Sequence, residues 1–404
     1  MNILQIYNKI PIPPKDGGSI AVYGLTECFA KLGHSVHLAA LNTNKHYVKI
    51  DSLKGQLPKN LKVFHFDINT KIKPLRALFN LLFSSLPYNA ERFLSVGFNN
   101  VLIDLLNKND YDIIQIEGLY MLQYIQTIRN NSKAIISFRA HNVENEIWLN
   151  TLQSEKNPIK KYYLNKLYKR IYKLEKDYIN TYDLLVPITD KDAEYFKKEG
   201  NAKFVHTSPT GLDSSKYRDT DKKLDKSRFF HLGSLDWIPN QEGLLWFLDN
   251  IWPEIASKYK NTTFTIAGRN APDSFVEKIT NYQNVLFNGE VDDAIEFMHN
   301  QTIMIVPLFS GSGMRIKIIE GLAAGNIIVT TSKGVEGIPA QNRKHLFIVN
   351  TVSDFLECID QIVSDYFNLK EISENAQQLI SDNFDNFAVS KSLLDFYEEA
   401  ITRK

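Results

Sequence analysis

The stretch of sequence that decides the fold is residues 307–325, which read PLFSGSGMRIKIIEGLAAG. An apolar run, Thr302–Pro307, precedes a glycine loop, and the helix that follows carries two cations and one carboxylate. Glycines let the backbone approach a ligand, and the N–H groups at a helix start attract phosphate. The stretch therefore predicts a loop for a sugar-nucleotide diphosphate and a ribose contact at Glu320. A plain turn that uses its glycines only for geometry is the alternative.

Strands and helices alternate on both sides of this stretch. The strands predicted in the first half are Met1–Tyr7, Ser35–Leu41, Lys62–Phe66, Asp112–Ile116 and Ala134–Phe138. Those predicted in the second half are Arg228–Leu232, Thr263–Ala267, Val285–Phe287, Met304–Pro307 and Ile327–Thr331. Such alternation is typical of parallel sheets covered by helices on both faces. The sequence predicts an α/β protein of two doubly wound, Rossmann-like domains that face each other across a cleft.

The charge distribution divides the chain at the same place. Residues 1–205 carry a net charge of +9 and residues 206–404 a net charge of −8, although the whole chain is near neutral at +1. A short connector with Pro209 and Gly211 lies at this boundary. We therefore predict one domain over 1–205 and a second over 206–384. A basic first half suits an anionic lipid or an anionic acceptor, and a solvated surface is the alternative.

Composition excludes several classes of protein. The 404 residues contain only two cysteines, Cys28 and Cys358, so no disulfide framework is predicted. The N-terminus runs into a strand without the features of a secretory signal, and no apolar run approaches the ~18 residues of a membrane span. We expect a cytoplasmic protein, at most peripheral on the inner face of a membrane, with no nucleic-acid partner.

Two strand ends in the first half are candidate ligand sites. Gly17 and Gly18 open a helix after the first strand, where paired glycines leave room for a phosphate or a substrate. Their spacing differs from the glycine pattern of a dinucleotide fold, which disfavours NAD. Arg139, His141 and Asn142 follow a later strand, and the histidine can donate or accept a proton near neutral pH. The alternatives are a stiffened turn and a structural histidine.

The first strand of the second half also ends in a polar loop. Gly233 and Ser234 follow it, and Asn240 is predicted to cap a helix over 241–248. Trp237 lies between them and either stacks on a ligand or packs in the core. The loop is expected to face the same cleft as the loop at Gly311.

The combined pattern resembles the GT-B-fold glycosyltransferases of family 4, also called glycosyltransferase group 1, which are retaining and use nucleotide sugars. The matching stretches are Gly17-Gly18, Arg139–Asn142, Gly233–Asn240, Trp252-Pro253, Ala267–Arg269, Gly289, Gly311–Gly325 and Gly334–Gly337. They cover nearly the whole chain in the order found in that family, and together they are much more specific than any one loop.

The resemblance implies transfer of a hexose from a UDP- or GDP-sugar, with retention, to a glycan, a lipid-linked or a small-molecule acceptor in surface polysaccharide or glycoconjugate synthesis. It implies no metal and no cofactor beyond the nucleotide-sugar co-substrate. The catalytic residues would be His141, Arg315 and Glu320. The donor-binding residues would be Gly233, Ser234, Arg269, Gly311, Ser312, Gly313, Met314 and Lys317. Gly17, Gly18, Arg139 and Asn142 would lie on the phosphate and acceptor side, and helix 385–404 would pack back on the first domain.

The chain departs from the family at two points. Many relatives carry two glutamates separated by seven residues in this motif, and here the earlier position is Ser312. Many also carry an arginine and a lysine after the strand that opens the second domain, where this chain has Ser234 and Asn240. We infer that Arg315 and Lys317 supply the missing positive charge. Two residues apart on a helix they do not share a face, so Arg315 is the first choice.

Two other functions on this fold stay open from the sequence, a nucleotide-sugar epimerase and a non-catalytic homologue that binds the nucleotide sugar. Metal binding is not predicted, because the pairs of aspartates are typical of helix starts and surface segments. The candidates considered were Asp190-Lys191-Asp192, Asp219-Thr220-Asp221 and Asp292-Asp293.

The segment 71–86 is a candidate for peripheral membrane contact. It combines three cations with six large apolar side chains, a composition typical of helices on anionic lipid surfaces. They are Lys71, Lys73, Arg76, Leu75, Leu78, Phe79, Leu81, Leu82 and Phe83. An ordinary core helix with solvated lysines is the alternative.

Overall fold

The computed structural model describes residues 1–53, 55–219, 222–311 and 314–404. These residues form two compact units, each with its own sheet. The first unit comprises Met1–Gly211 together with Asn386–Lys404, and the second comprises Leu212–Asp385. The chain therefore leaves the first unit at the connector and returns to it for its last helix.

The sheet of the first unit has seven described strands. They are β1 (Asn2–Tyr7), β2 (Ser35–Thr43), β3 (Leu61–Ile68), β4 (Ile113–Glu117), β5 (Ile135–Ala140), β6 (Leu184–Pro187) and β7 (Phe204–Val205). All are parallel, in the order β3-β2-β1-β4-β5-β6-β7. Every residue of β4 and β5 is buried, as in sheets that helices cover on both faces.

Nine described helices surround this sheet. They are α1 (Gly17–Lys31), α2 (Pro74–Phe83), α3 (Tyr88–Glu91), α4 (Val96–Lys108), α5 (Ile125–Asn131), α6 (Glu144–Ser154), α7 (Pro158–Tyr178), α8 (Asp190–Lys198) and, from the end of the chain, α16 (Asn386–Arg403). In α16, Val389, Leu393 and Tyr397 are buried. The Tyr397 hydroxyl donates to Gln115 Oε1 at 2.7 Å and shares a 2.9 Å hydrogen bond with Ser137 Oγ, which ties α16 to β4 and β5.

The second unit repeats the architecture with six described strands. They are β8 (Arg228–Leu232), β9 (Thr263–Ala267), β10 (Val285–Gly289), β11 (Ile303–Val306), β12 (Ile327–Thr330) and β13 (Phe347–Ile348). The order is β10-β9-β8-β11-β12-β13, again all parallel. The helices are α9 (Ile238–Asn250), α10 (Trp252–Lys258), α11 (Asp273–Ile279), α12 (Ala294–His299), α13 (Ile316–Ala323), α14 (Val352–Val363) and α15 (Leu369–Phe384).

In each sheet the strand order reverses once. The reversal lies between β1 and β4 in the first unit and between β8 and β11 in the second. Doubly wound folds bind ligands at such switch points, beyond the carboxyl ends of the strands. The loops after these strands are therefore where the two units hold their candidate sites.

Helix α2 carries its apolar stripe on the outside of the first unit. The stripe is formed by Leu75, Leu78, Phe79, Leu82 and Phe83, which are 54% to 84% exposed. Spacings of three and four residues place them on one face of the helix. The opposite face holds Asn80, which is 3% exposed and donates to the Leu86 carbonyl at 2.9 Å. No helix among the described residues is both long and apolar enough to cross a bilayer.

Candidate functional site

In the second unit, the loops after β8 and β9 lie against each other. Gly233 donates its N–H to the Ala267 carbonyl at 3.2 Å, and Leu235 N–H donates to the Arg269 carbonyl at 2.9 Å. A Cβ on Gly268 would lie 1.7 Å from the Gly233 carbonyl oxygen, so only glycine fits there. The two strand ends therefore present one continuous surface of loop backbone.

Asn240 does not cap a helix, and that prediction was wrong. Helix α9 begins at Ile238, because Pro239 is well accommodated in a first turn. Asn240 is consequently inside the helix and buried, and its Nδ2 donates to the Ser234 carbonyl at 2.7 Å. Its Oδ1 accepts from Lys317 Nζ at 2.5 Å. The residue thus joins the loop after β8 to α13.

Lys317 lies among neutral polar groups that only the folded chain brings together. Its Nζ is 3.2 Å from His231 Nε2, and His231 Nδ1 donates to the Ile305 carbonyl at 2.8 Å, so Nε2 is left to accept. Burial, and then the charge of Arg315, lower the pKa of Lys317 to about 7. A small change in local charge therefore decides whether this amine is protonated at neutral pH.

Arg315 immediately precedes α13 and is only 5% exposed. Its guanidinium carbon lies 5.3 Å from the Trp237 ring centroid, so Trp237 has a packing role under this cation. Gly311 has φ +99°, and a Cβ there would come within 2.7 Å of Trp237. The loop at Gly311 thus needs glycine both for its backbone conformation and for the space the indole takes.

Other predicted donor residues lie in the same region. Met314 is partly buried and packs against an apolar cluster of the second unit. Arg269 approaches Ser234, with 3.5 Å between Nε and Oγ. Ser312 and Gly313 lie outside the described residues.

Glu320 lies on α13, one turn beyond Lys317. Its Oε1 accepts from the Tyr217 hydroxyl at 3.0 Å, while burial raises the pKa of its carboxyl group. No sequence motif pointed to Tyr217, which lies in a 3-10 turn, Ser214–Tyr217, far from Glu320 in the chain. This hydrogen bond holds the carboxylate in place and leaves Oε2 for a ligand hydroxyl.

In the first unit, His141 is held by a carboxylate that the sequence did not single out. Glu117, at the end of β4, is fully buried and lies 2.6 Å from His141 Nε2 through its Oε2. Burial alone would raise the pKa of Glu117, but the Arg139 guanidinium and the His141 hydrogen bond outweigh it and lower the pKa. An ionised Glu117 requires a proton on Nε2 of His141. Nδ1 is then the ring atom that remains for a ligand.

Arg139 is completely buried beneath this pair. Its Nη1 lies 3.5 Å from Glu117 Oε2 and 3.3 Å from the Ala21 carbonyl. Glu117 and Arg139 are register partners on the adjacent strands β4 and β5. The Arg139 side chain is therefore inaccessible to a ligand. It influences the site by holding Glu117 ionised beside His141.

The start of α1 lies beside His141. Asp16 caps α1 by accepting from Ser19 N–H at 3.0 Å, and Lys9 pairs with Asp16 at 2.6 Å. Although burial opposes it, Lys9 holds the pKa of Asp16 below its usual range. A Cβ on Gly18 would lie 2.7 Å from the Tyr7 hydroxyl and 4.0 Å from His141 Nδ1. Gly17 begins the helix, and Asn142 is half-buried next to His141.

The described residues contain no group of three or more histidine, cysteine, aspartate or glutamate side chains arranged for a metal ion. Asp190 begins α8, which Thr189 caps, and Asp293 caps α12. Both observations agree with the helix-start interpretation of these aspartates. Of Asp219-Thr220-Asp221, the last two residues lie outside the described part of the chain.

Comparison with known proteins supports the class of protein predicted from the sequence, a glycosyltransferase. Residues 226–365, about a third of the chain, match the family model described as "Glycosyl transferases group 1". A Klebsiella pneumoniae relative, an "Uncharacterized 44.6 kDa protein in cps region", is 24% identical over 97% of this chain and 98% of its own.

Solved structures show the fold. Sucrose-phosphate synthase from Thermosynechococcus elongatus aligns with a TM-score of 0.72 at 14% identity and full coverage of both chains. HepE from Anabaena in complex with UDP aligns with a TM-score of 0.68 at 13% identity, over 99% of this chain and 100% of that one. The predicted α/β fold with two parallel sheets, that of the GT-B glycosyltransferases, is confirmed. Together with the family match, it supports a glycosyltransferase.

Proposed function

We propose that the protein is a retaining, metal-independent hexosyltransferase of family 4 that takes its sugar from a UDP- or GDP-sugar. The observation that carries this proposal is the grouping of Arg315, Lys317 and Glu320 at the start of α13. They lie in the region that matches the glycosyltransferase family model, next to the switch point of the second sheet. The likeness to a protein whose structure is in complex with UDP-glucose supports the donor class.

Each of the three side chains has a distinct role in the proposed site. Arg315 and Lys317 stabilise the diphosphate as negative charge develops on the leaving group. Glu320 accepts hydrogen bonds from the ribose hydroxyls through the carboxylate that Tyr217 holds in place. Gly233 and Gly311 leave space for the nucleotide sugar at the backbone.

The first unit supplies the sugar-facing and acceptor residues in this proposal. His141, oriented by Glu117, contacts the transferred sugar through Nδ1. The acceptor hydroxyl attacks from the face that the diphosphate leaves, so the anomeric configuration is retained, and a leaving phosphate oxygen takes its proton. Gly17, Gly18 and Asn142 border the acceptor and phosphate side. The transfer reaction serves surface polysaccharide or glycoconjugate synthesis. The name of the Klebsiella relative, which refers to a cps region, is in keeping with this process.

Donor binding is expected to take up a proton at Lys317. Its pKa of about 7 leaves most of the amine neutral at pH 7.5, and a diphosphate beside it raises that pKa. Titration calorimetry with UDP- and GDP-sugars in two buffers of different ionisation enthalpy should show a net uptake of protons at pH 7.5. The affinity should fall as the pH rises above 7, because the bound state then has to gain the proton.

Lys222 provides a matched control. It is a second lysine of the same unit whose pKa burial lowers to about 7, and its Nζ donates to two backbone carbonyls, those of Met298 and Ala324. Lys317→Met should abolish the proton uptake and Lys222→Met should preserve it. Uptake that survives in Lys317→Met would contradict the assignment. Failure of every UDP- and GDP-sugar to bind would overturn the proposed function itself.

We further propose that segment 71–86 places the enzyme peripherally on the cytoplasmic face of an anionic membrane. The apolar stripe of α2 is exposed, and Lys71 and Lys73 precede it. Arg170 anchors the helix by donating to the Leu81 carbonyl at 2.8 Å, so the stripe is presented on a fixed support. Exposed apolar side chains with adjacent cations are typical of helices that lie in a lipid interface.

Vesicle sedimentation tests this contact. The paired variant Phe79→Ser with Phe83→Ser should bind vesicles containing anionic lipid at least ~10-fold more weakly, since two exposed aromatic rings no longer enter the interface. Leu286→Ser with Tyr366→Ser, two exposed apolar residues of the second unit, should bind as the wild type does. Equal binding by both variants would count against the contact.

A further inference from the structure

A cavity of about 470 Å³ lies in the first unit at the carboxyl ends of β1, β2 and β3. It belongs to the first unit, whereas the group of charged residues around α13 belongs to the second unit. The residues that line it come from the ends of these strands, from the loops after them and from the residues that follow α3. This edge of a doubly wound sheet is where such folds bind ligands.

The cavity is lined by cations. Lys45, Lys71 and Arg92 border it together with His46, which interacts with Asp16, and no aspartate or glutamate is among its described lining residues. Lys9 also borders it, but Asp16 already compensates that charge at 2.6 Å. The remaining positive charge favours an anionic ligand.

Three buried polar atoms in the wall lack a hydrogen-bond partner among the described residues. They are Thr43 Oγ1, Asn8 Oδ1 and Arg92 Nε. Thr43 is only 2% exposed, so water does not compensate its hydroxyl as it would at the surface. A hydroxyl and a guanidinium N–H can both donate to a phosphate oxygen, and the asparagine oxygen can accept from a sugar hydroxyl.

The wall is held in place by its own hydrogen bonds. Arg92 Nη1 donates to the Thr70 carbonyl at 3.0 Å, and Thr70 N–H donates to Asn44 Oδ1 at 3.1 Å. These bonds join the loops after β2 and β3 to the end of α3. Positioned donors lose little freedom when they bind an anion, which favours affinity.

The cavity borders the start of segment 71–86. Lys71 and Ile72 line it, and Ile72, which is 69% exposed, precedes α2 and its exposed apolar stripe by a few residues. We propose that this cavity binds the phosphate of a sugar acceptor carried on an apolar chain, with the chain lying along α2, so that the acceptor is a lipid-linked phosphate. This inference rests on the proposed function for its transfer step, while the binding site stands on the cavity alone.

Titration calorimetry with the full chain tests the site. The probes are monomeric dodecyl phosphate, inorganic phosphate and dodecyl maltoside, each added in the presence of saturating UDP to occupy the donor side. Dodecyl phosphate should bind at least ~10-fold more tightly than either of the others, because it alone has both the anion and the chain. Equal affinity for inorganic phosphate would overturn a lipid source, and equal affinity for dodecyl maltoside would overturn an anion site.

Variants assign the binding to the cavity. Thr43→Val keeps the side-chain shape and removes a hydroxyl that has no partner among the described residues, so the fold should be retained. Thr43→Val and Arg92→Gln should each weaken dodecyl phosphate binding about tenfold. Arg129→Gln, at the amino end of the same sheet, should leave it unchanged. Unchanged binding in both cavity variants would overturn the proposal.

The affinity for UDP separates this inference from the proposed function. UDP should bind all three variants as it binds the wild type, since the donor residues are in the other unit. Loss of dodecyl phosphate binding with normal UDP binding would support the cavity. Absence of UDP binding in the wild type would overturn the transferase proposal, and the cavity would still be judged by its own titration.

Discussion

Glu117→Gln is expected to reduce the free energy of unfolding by about 3–5 kcal/mol, because it leaves the Arg139 guanidinium buried without a counter-charge. It should also reduce sugar transfer, since a neutral amide no longer fixes the proton on His141 Nε2. Denaturant unfolding measures the first effect, and nucleotide release from the donor measures the second.

Two further variants make this expectation specific. Asp104→Asn breaks a surface ion pair with Lys108 in which both side chains are about 70% exposed, and it should cost less than ~1 kcal/mol. Adding Arg139→Met to Glu117→Gln should restore part of the stability, because it removes the uncompensated charge. A double variant no more stable than the single one would contradict this explanation.

Arg315→Ala is expected to slow transfer by about 100-fold or more, with a much smaller change in stability. Removing one preorganised group that stabilises developing negative charge typically has an effect of this size. Arg315→Lys should recover only part of the rate, since an ammonium group cannot stack over Trp237 as a planar guanidinium does. Single-turnover release of the nucleotide measures the rate.

A second stacked arginine of the same unit is the matched control. Arg343 lies 5.8 Å from the ring centroid of Phe367 and is exposed. Arg343→Ala should leave the transfer rate within about twofold of the wild type, because it removes a similar cation–π contact that involves none of the proposed donor residues. A rate in Arg315→Ala equal to that of Arg343→Ala would exclude Arg315 from the reaction.

Hydrophobic pattern was enough to predict most of the fold. The strands β1 and β9 were predicted within a residue of their observed bounds, since short, mainly apolar runs mark strands that are buried on both faces. Three of the observed strands, β6, β7 and β13, were not predicted from the sequence. Two of these have only two residues, and periodicity carries no signal over so short a length.

The candidate site was predicted less completely. The loop and helix around Gly311 to Glu320 follow from local sequence, because glycines, cations and a carboxylate occur there within a few residues. The residues that contact Lys317 and Glu320 could not be predicted from local sequence. Tyr217 on Glu320, and His231 and Asn240 on Lys317, come from distant segments. The positions of Ser312 and Gly313 remain a prediction from sequence.

The sequence by itself determined the class of fold, the glycine-rich start of α13 and the charges gathered there, because these depend on residues that are neighbours along the chain. Only the tertiary structure decided which carboxylate holds His141, that Arg139 lies beneath that carboxylate, and where the cavity bordered by Lys45, Lys71 and Arg92 forms. Glu117 and Arg139 meet because β4 and β5 are adjacent in register, and the cavity forms because three strand ends converge. Strand order sets those neighbours, and it leaves no mark on the local pattern of apolar and polar residues.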